Sequence, residues 1–495
     1  MIYKRKIAFL ILRNIAAIVF LSITVLSTAQ IPTKIDIFDV EILNRTTELS
    51  GSYYSAGLLQ SDDNIISGVV VKYTDNNNYS YEIFSAPDSS MYFADIVAHN
   101  GRLFVTGGIG SLTEDYYSRC FIGEINENLE LIWKKSYQYE ESATDVIGDH
   151  VLFNNDTLYV AGRFKTEGIH YGMVNSYTLQ GDSLGHFWFE TPHSNIDDMT
   201  HNLDSTGLLL VGERFEQSGG YPMYADLSYD FESVSIDDIV SNYGRDIMSI
   251  KKETDSTYIM GCRLSETWYP GGEEGFTQHC LNRMDDEFNT SLLTTQGDFG
   301  KNEDPAWNNS IDFRTKDTIY FAARHDGWSI YPPINPSQLW VGYADNQLIT
   351  QGIVKLGGEY DFFNTRDIVA TSYGGGVVVG DHWDLSVDPA KLDLMIVKLE
   401  PEHFGPTPVS DLSTTSVNVK IIPNPVKDKV KVVLTDIPKT AVISVYNIHG
   451  QKMVSYRCTE SEIVIPCKHW NNGIYFYSII NRGKRIAAGK IVKEE

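Results

Sequence analysis

Seven times between residues 30 and 400, a short apolar run ends in a small residue and gives way to a polar turn and a further apolar run. The small residues are Gly68, Gly107, Gly162, Gly212, Gly261, Ala323 and Gly380. They recur at broadly similar intervals. A repeat constrains a fold more than any single motif, because each unit buries its apolar face only against a neighbouring unit. Several copies open on Asp and an apolar residue, as in Asp145-Val146, Asp246-Ile247 and Asp367-Ile368. A strand such as NNDTLYVAGRF (154–164) follows, then two more. Four short strands per unit, in units close to the usual ~40–50 residues, predict a β-propeller of about seven blades. Tandem domains would need linkers, and none separates the units. Aromatics at 12% and 39 Gly suit strands divided by turns.

The chain carries 65 acidic and 40 basic residues, a formal charge of −25. That balance argues against a nucleic-acid partner, since phosphate contacts need clustered positive charge. The charge is uneven. Residues 419–495 hold 13 Lys and Arg against 6 Asp and Glu, whereas the middle of the chain is −36. A shift of that size marks a domain boundary. Residues 401–416, rich in Pro, Ser and Thr, read as a linker. At the other end, Lys4, Arg5 and Lys6 precede an apolar run from Ile15 to Leu26 and then Ser27-Thr28-Ala29. This layout predicts a signal peptide over 1–29 and no transmembrane span in the mature chain. The expected organisation is 1–29 signal peptide, 30–400 propeller, 401–416 linker and 417–495 a small antiparallel β-sandwich of Ig-like type. The fold class is all-β.

The last segment contains Pro423-Asn424-Pro425, then Tyr446-Asn447 with Gly450-Gln451, then Gly473-Ile474-Tyr475. In that order, at the C-terminus and behind a signal peptide, these motifs resemble the type A C-terminal sorting domain of the type IX secretion system of Bacteroidota. The resemblance runs from Val419 to Glu495. It implies export across the outer membrane, with release or attachment at the cell surface, and the secretion machinery as a partner. The repeat ahead of it is similar to the divergent propellers found before such tails, which names an architecture and no activity.

Propeller geometry puts the start of the first strand, the end of the second and the second-to-third loop on one face. Asp145, Asp197, Asp246 and Asp367 are therefore expected near Arg163, Arg214, Arg263 and Arg324, with Asp381 in place of an Arg in the last blade. These charges form either a ring of structural ties or a ligand site at the channel mouth. The loops on this face lengthen late in the repeat and carry Trp268, Tyr269, Trp328, Tyr331 and Trp383, and a nearby connection adds Trp307. Aromatic rings on long loops suit sugar rings or peptide side chains, or they fold back on the scaffold. A glycan- or protein-binding module follows from the first choice. An extracellular hydrolase of polysaccharide or peptide, built on Asp246, Asp326, Asp367 or Asp381, is the alternative, and a scaffold without a small ligand is the third reading.

Other chemistry is thinly supported. Gly181-Asp182-Ser183-Leu184-Gly185 has the G-x-S-x-G spacing, but it lies between two strands of a blade, where a nucleophile elbow has no helix to precede. No catalytic residue is assigned and no cofactor is expected. Asp75-Asn76-Asn77-Asn78 and Asp285-Asp286-Glu287 offer oxygens to calcium without the spacing of an EF-hand. Among five Cys, Cys262 with Cys280 and Cys458 with Cys467 are the candidate disulfides, leaving Cys120 as a buried thiol.

Overall fold

A computed structural model describes residues 32–494, apart from 38–39, 62, 64, 75–77, 87–88, 112–116, 139–142, 193, 217–218, 240–245, 266–276, 297–301, 327–332, 334, 388–389, 405–417, 436–440, 448–451, 460 and 482–483. The signal-peptide segment 1–29 lies outside the described residues. The chain divides into two compact units, Met1–Gly405 and Pro406–Glu495.

In the larger unit the strands follow one another as antiparallel meanders over 40–84, 90–137, 145–188, 194–238, 246–296 and 303–356. A single parallel bridge from Asp145 to Ser118 merges the second and third into one eight-stranded sheet. A further meander, 361–399, takes its outermost strand from the other end of the unit. Thr33–Ile35 pairs antiparallel with Lys391–Leu399, and Lys34 reaches Asp361 (3.5 Å) and His382 (3.1 Å). Apolar clusters join each meander to the next. Val70 and Phe84 pack with Phe93 and Val105 between the first two, and Ile259 and Leu281 pack with Ile319 and Phe321 between the fifth and sixth. Val377 and Ile396 of the last meander pack with Leu43 and Val69 of the first. The ring is closed, and the unit is a β-propeller. The meanders are its blades, numbered here in chain order. After the last blade, Pro401–Phe404 forms a short 3-10 turn with Phe404 buried against Tyr320 and Tyr343.

The recurrent glycine has a physical cause. The innermost strand of most blades carries a β-bulge, with Asn44, Ala94, Asp149, Asp197, Met248 and Arg366 as the extra residues. The bulge turns a carbonyl over the facing strand, where only a residue without Cβ fits. A Cβ would stand 2.0 Å from the Tyr92 carbonyl oxygen at Gly107, 2.0 Å from that of Ile147 at Gly162 and 2.0 Å from that of Asn195 at Gly212. In blade 1 this position belongs to Gly57, under the Ile42 carbonyl at 1.9 Å, and not to Gly68, which lies beneath the Phe93 ring. With Gly57 in that place, the short first interval of the repeat comes into line with the others.

The residue after each bulge points into the channel. Arg45, Asp95, His150, Asp198 and Asp367 meet there, and Ser249 bonds to Ser310 (2.9 Å). The Arg45 guanidinium donates to Asp198 Oδ1 (3.0 Å), lies 2.9 Å from His150 Nδ1 and 3.9 Å from Asp367 Oδ1. The carboxylates also bind across blade boundaries. Asp95 accepts from the Val151 N–H (2.8 Å), Asp198 from Ile250 N–H (2.8 Å) and Asp367 from Thr46 N–H (2.6 Å). The last of these fastens blade 7 to blade 1. All of these side chains are buried. Burial pushes the Asp95 carboxyl up to about 6 and that of Asp367 to about 7, with Arg45 opposing both. Burial would raise Asp198 too, but its direct contact with Arg45 holds it below the usual carboxylate range. His150 is driven down to about 3 by burial and then by Arg45, so it is neutral.

In the smaller unit, a three-stranded sheet (Asn418–Ile422, Lys429–Thr435, Glu462–Pro466) faces a four-stranded one (Lys452–Arg457, Val442–Tyr446, Gly473–Asn481, Lys484–Lys493). Val430, Val432 and Ile465 of the first pack with Ile443, Val445, Ile479 and Ile491 of the second. The strict alternation in Glu462–Pro466, exposed and buried by turns, is the pattern of a sheet wet on one side. Cys458 and Cys467 are both buried free thiols in this core, so the expected bridge between them is absent. Each follows a strand of a different sheet, and the two side chains serve as packing. Cys262 and Cys280 stand directly opposite on paired strands of blade 5, with Cα atoms 5.2 Å apart, and are disulfide-bonded.

Removing one partner from a buried ion cluster leaves uncompensated charge, which typically costs about 3–5 kcal/mol. Arg45→Met is accordingly expected to lower the stability of the propeller by about that amount in denaturant unfolding. The loss should be smaller at pH 5 than at pH 8, because Asp95 and Asp367 are then largely protonated.

Candidate functional site

In blades 3 and 7 the bulged residue of the inner strand faces the residue that follows the glycine on the next strand. These pairs form a second ring, one step outward from the Arg45 cluster. In blade 3 it holds Asp149 against Arg163 (3.1 Å). In blade 7 it holds Arg366 against Asp381 (3.4 Å), with Asn364 donating to the same Asp381 oxygen (3.2 Å). Between them, Asp304 binds Arg324 (2.6 Å) and lies 3.6 Å from Arg263, and Arg324 stands 3.4 Å from Asn364. The contacts run as an arc from blade 5 to blade 7, and blades 3 and 4 extend it.

Blade 4 departs from this pairing of opposite charges. Its bulged residue is Asp197 and the facing residue is Glu213. No hydrogen bond from a described residue reaches either carboxylate. Burial, then Asp149, push Asp197 up to about 7. Burial, then Asp197, push Glu213 to about 7, with Arg263 opposing. Both carboxyls therefore titrate near neutral pH, a poise suited to ligand hydroxyls or to acid–base work.

Blade 6 departs in its backbone. Its inner strand is split into Glu303–Pro305 and Ile311–Thr315. The segment between them leans onto blade 7. Trp307 N–H donates to Thr365 O (3.1 Å), Asn308 N–H to Arg366 O (2.8 Å), and Asn308 Nδ2 to Asn44 O (2.9 Å). Asn309 Nδ2 donates to Asp367 Oδ1 (2.9 Å). The excursion spans the channel edge and holds the Trp307 indole 47% exposed, with the Arg366 guanidinium 5.9 Å from its ring centre.

The residues expected at the mouth fare differently. Arg163, Arg263 and Arg324 lie on the arc, where Arg163 pairs with Asp149 and Arg324 with Asp304, and Asp246 stands directly opposite Arg263 in the sheet, as expected. Asp145 instead ties blade 3 to Ser118 of blade 2. Asp246 begins the inner strand of blade 5, and its side chain lies outside the described residues. Asp367 belongs to the Arg45 cluster and Asp381 is wholly buried, so neither carboxylate reaches a substrate. The opening Asp residues occupy different registers to the bulge, which is why alignment on them misplaces the partners of Asp145 and Asp367. Asp326 is exposed just beyond its strand, with φ of +59°.

Of the six aromatics, Trp268, Tyr269, Trp328 and Tyr331 lie outside the described residues. Trp383 is corrected: it lies on the strand Gly376–Asp384 and packs with Phe362 and Leu392, 7% exposed, and offers no face to a ligand. Trp307 is exposed as expected. The Gly181–Gly185 segment is a turn followed by strand. Gly181 has φ of +78°, Asp182 pairs with Lys135, and Ser183 begins the strand Ser183–Trp188. Of the two acidic stretches, Asp75-Asn76-Asn77 lies outside the described residues. In the other, Asp285 Oδ1 accepts from Glu287 N–H (3.1 Å) and Asn289 N–H (2.8 Å), so the carboxylate is committed to its own turn. Among the described residues, no group of three or more His, Cys, Asp or Glu is arranged to hold a metal ion.

Asp197, expected beside Arg214, lies near Glu213, while Arg214 pairs with Asp238 (2.9 Å). The sequence reading missed Arg45, His150, Asp95, Asp198 and Glu213. A signal existed. A short and nearly constant step back along the chain from Gly57, Gly107, Gly162, Gly212, Gly261 and Gly380 lands on Arg45, Asp95, His150, Asp198, Ser249 and Asp367.

In the smaller unit, the motif residues support the fold. Asn424, between Pro423 and Pro425, donates to Lys490 O (3.1 Å) and accepts from Val492 N–H (2.7 Å), pinning the last strand. Tyr475 is buried, lies tilted against Trp470 and donates to Asn471 O (2.9 Å). Gly473 has φ of +147° at the start of its strand, where a side chain would be strained. Tyr446 ends the strand Val442–Tyr446, and Asn447 follows it; Gly450 and Gln451 lie outside the described residues.

Residues 420–494 match the secretion system C-terminal sorting domain family. A type IX sorting tail marks proteins that are secreted or held at the cell surface, and it implies contact with the type IX machinery. Among the described residues, no helix is long and apolar enough to cross a membrane. No curated protein matches the chain. Solved structures of similar shape include the propeller domain of the Trilobed protease from Pyrococcus furiosus, 7% identical, covering 72% of this chain and 96% of that one, with a TM-score of 0.39. A puromycin hydrolase is 10% identical over 80% of this chain and 58% of its own, with a TM-score of 0.46. Sqt1 from Chaetomium thermophilum is 10% identical over 72% and 85%, with a TM-score of 0.40. Likeness at this level carries nothing about chemistry.

The carboxyls of Asp197 and Glu213, raised in the folded state, favour folding at pH values near 4 and lose that contribution as pH rises toward about 7. Glu213→Gln removes one of the facing charges. It is expected to be more stable than the parent at pH 8 by roughly 1 kcal/mol, discounted for the partial exposure of the pair, with the gain gone at pH 5. Denaturant midpoints at the two pH values check it.

Proposed function

We propose that the exported propeller is a binding module whose ligand, an extracellular glycan or a protein segment, seats at the channel mouth over Trp307. The observation that carries this reading is the exposed indole on a segment tied down by backbone hydrogen bonds to blade 7. An apolar ring in water is costly unless something covers it, and a rigid one loses little entropy on binding. The arc beside it alternates guanidinium and carboxylate groups, a set of donors and acceptors suited to hydroxyls or peptide groups. The Arg45 cluster fills the channel beneath, which favours a ligand lying across the mouth over one threading the ring.

Trp307→Ala is expected to weaken binding to the responsive members of a glycan, polysaccharide and peptide panel by about tenfold or more, in line with loss of a central aromatic anchor. Its unfolding midpoint should stay near the parent value. Unchanged binding by this variant would remove the indole from the site.

A second reading, hydrolysis of polysaccharide or peptide, is favoured by one observation. Asp197 and Glu213 are facing carboxyls that both titrate near neutrality, the poise of an acid–base pair. The same panel, assayed for soluble fragments released over time, separates it from simple binding.

A further inference from the structure

In a β-sandwich the outer faces are ordinarily polar, and the four-stranded sheet of the smaller unit breaks that rule. Ile474 (44% exposed) and Phe476 (48%) point outward from its strand Gly473–Asn481, and Met453 (40%) is exposed on Lys452–Arg457. Phe476 is paired across the sheet with Tyr446 on one side and Lys490 on the other, and Ile474 with Val492. Beyond this apolar row the face is made of small residues, with Ser455, Ser444 and Ser478 in register. Exposed Arg457 and Lys490 stand on its rim, and no carboxylate stands on this face among the described residues. A contiguous apolar surface with a charged rim marks an interface.

Of the motif residues that identify this domain, Ile474 belongs to this face, while the Asn424 and Tyr475 side chains are engaged within the fold. Asn424 is occupied by the last strand, and Tyr475 is buried against Trp470. A partner that reads the domain must read something its fold displays. The apolar face lies wholly within the matched residues 420–494.

We infer that the Ile474–Phe476–Met453 face, rimmed by Lys490 and Arg457, is the surface on which the type IX secretion machinery takes hold of this protein. The sorting signal is a folded surface, and its sequence motifs act by building that surface. The partner surface is apolar with acidic groups at its edge, to match a basic rim on a segment of 13 basic and 6 acidic residues.

The test is export of the full-length chain from a host carrying the system, measured as protein outside the cell against protein retained in the periplasm. Phe476→Asp is expected to cut the exported fraction about tenfold or more, and the rim variant Lys490→Glu to cut it severalfold. Val464→Asp, at an equally exposed site on the opposite sheet, should export normally. Thermal unfolding of the retained protein shows whether the tail is intact, and Lys490→Glu carries the test if Phe476→Asp does not fold. Normal export of both Phe476→Asp and Lys490→Glu would overturn the inference. So would an equal loss in Val464→Asp. A full-length dimer that Phe476→Asp dissociates without affecting export would assign the face to a second copy instead.

Discussion

The propeller closes around one buried guanidinium. Arg45 comes from the first blade and meets carboxylates of the fourth and seventh, with the second nearby, so blades remote in the chain are tied at one point. Each carboxylate spends its other oxygen on a backbone N–H of a neighbouring or later blade. The cluster thus fixes both the centre and the succession of the ring. Buried ion pairs rarely add stability over an apolar core, but they discriminate strongly against misregistered alternatives. In a ring of similar blades, where each interface resembles the next, that discrimination matters. The strand Thr33–Ile35 closes the ring a second time at its rim, through backbone pairing with the last blade.

The cluster depends on the bulges. Each extra residue in an inner strand rotates the following side chain into the channel and turns a carbonyl toward the neighbouring strand, which must then offer a glycine. In blades 3 and 7 the extra residue itself points the other way, to the mouth, where it meets the residue after the glycine. One backbone irregularity therefore generates both the closed interior and the charged arc above it. Blade 4, with Asp197 facing Glu213, and blade 6, with its split strand and exposed Trp307, are where this scheme is broken. Breaks in an otherwise consistent pattern are where function is expected to sit.

The smaller unit divides its residues in the same way. Those that make it recognisable, Asn424, Gly473 and Tyr475, are engaged in holding strands and turns. Those that remain exposed on its four-stranded sheet, Ile474 and Phe476, alternate with Tyr475 along the same strand. The period of two in a strand puts core packing and the exposed apolar row on opposite faces of one element.

Local periodicity, turn residues and short motifs were enough to specify the all-β class, the repeat, the tail and its address, because each is written within a few neighbouring residues. They also brought Cys262 opposite Cys280, since a hairpin sets its own register. They did not say which charges meet. Asp145, Asp246 and Asp367 look equivalent in the chain, yet they stand at different distances from the bulge and so point to different places. Trp383 reads as a loop residue and is core, because its strand continues past the glycine and packs against Phe362. Arg45 is marked only by its step from Gly57, which says nothing of what it meets. Its partners His150, Asp198 and Asp367 come from three other blades far along the chain, and closure of the ring alone brings them to it. A bulge is a single extra residue in a strand, invisible to periodicity, and where each one aims its side chain is settled by the folded ring.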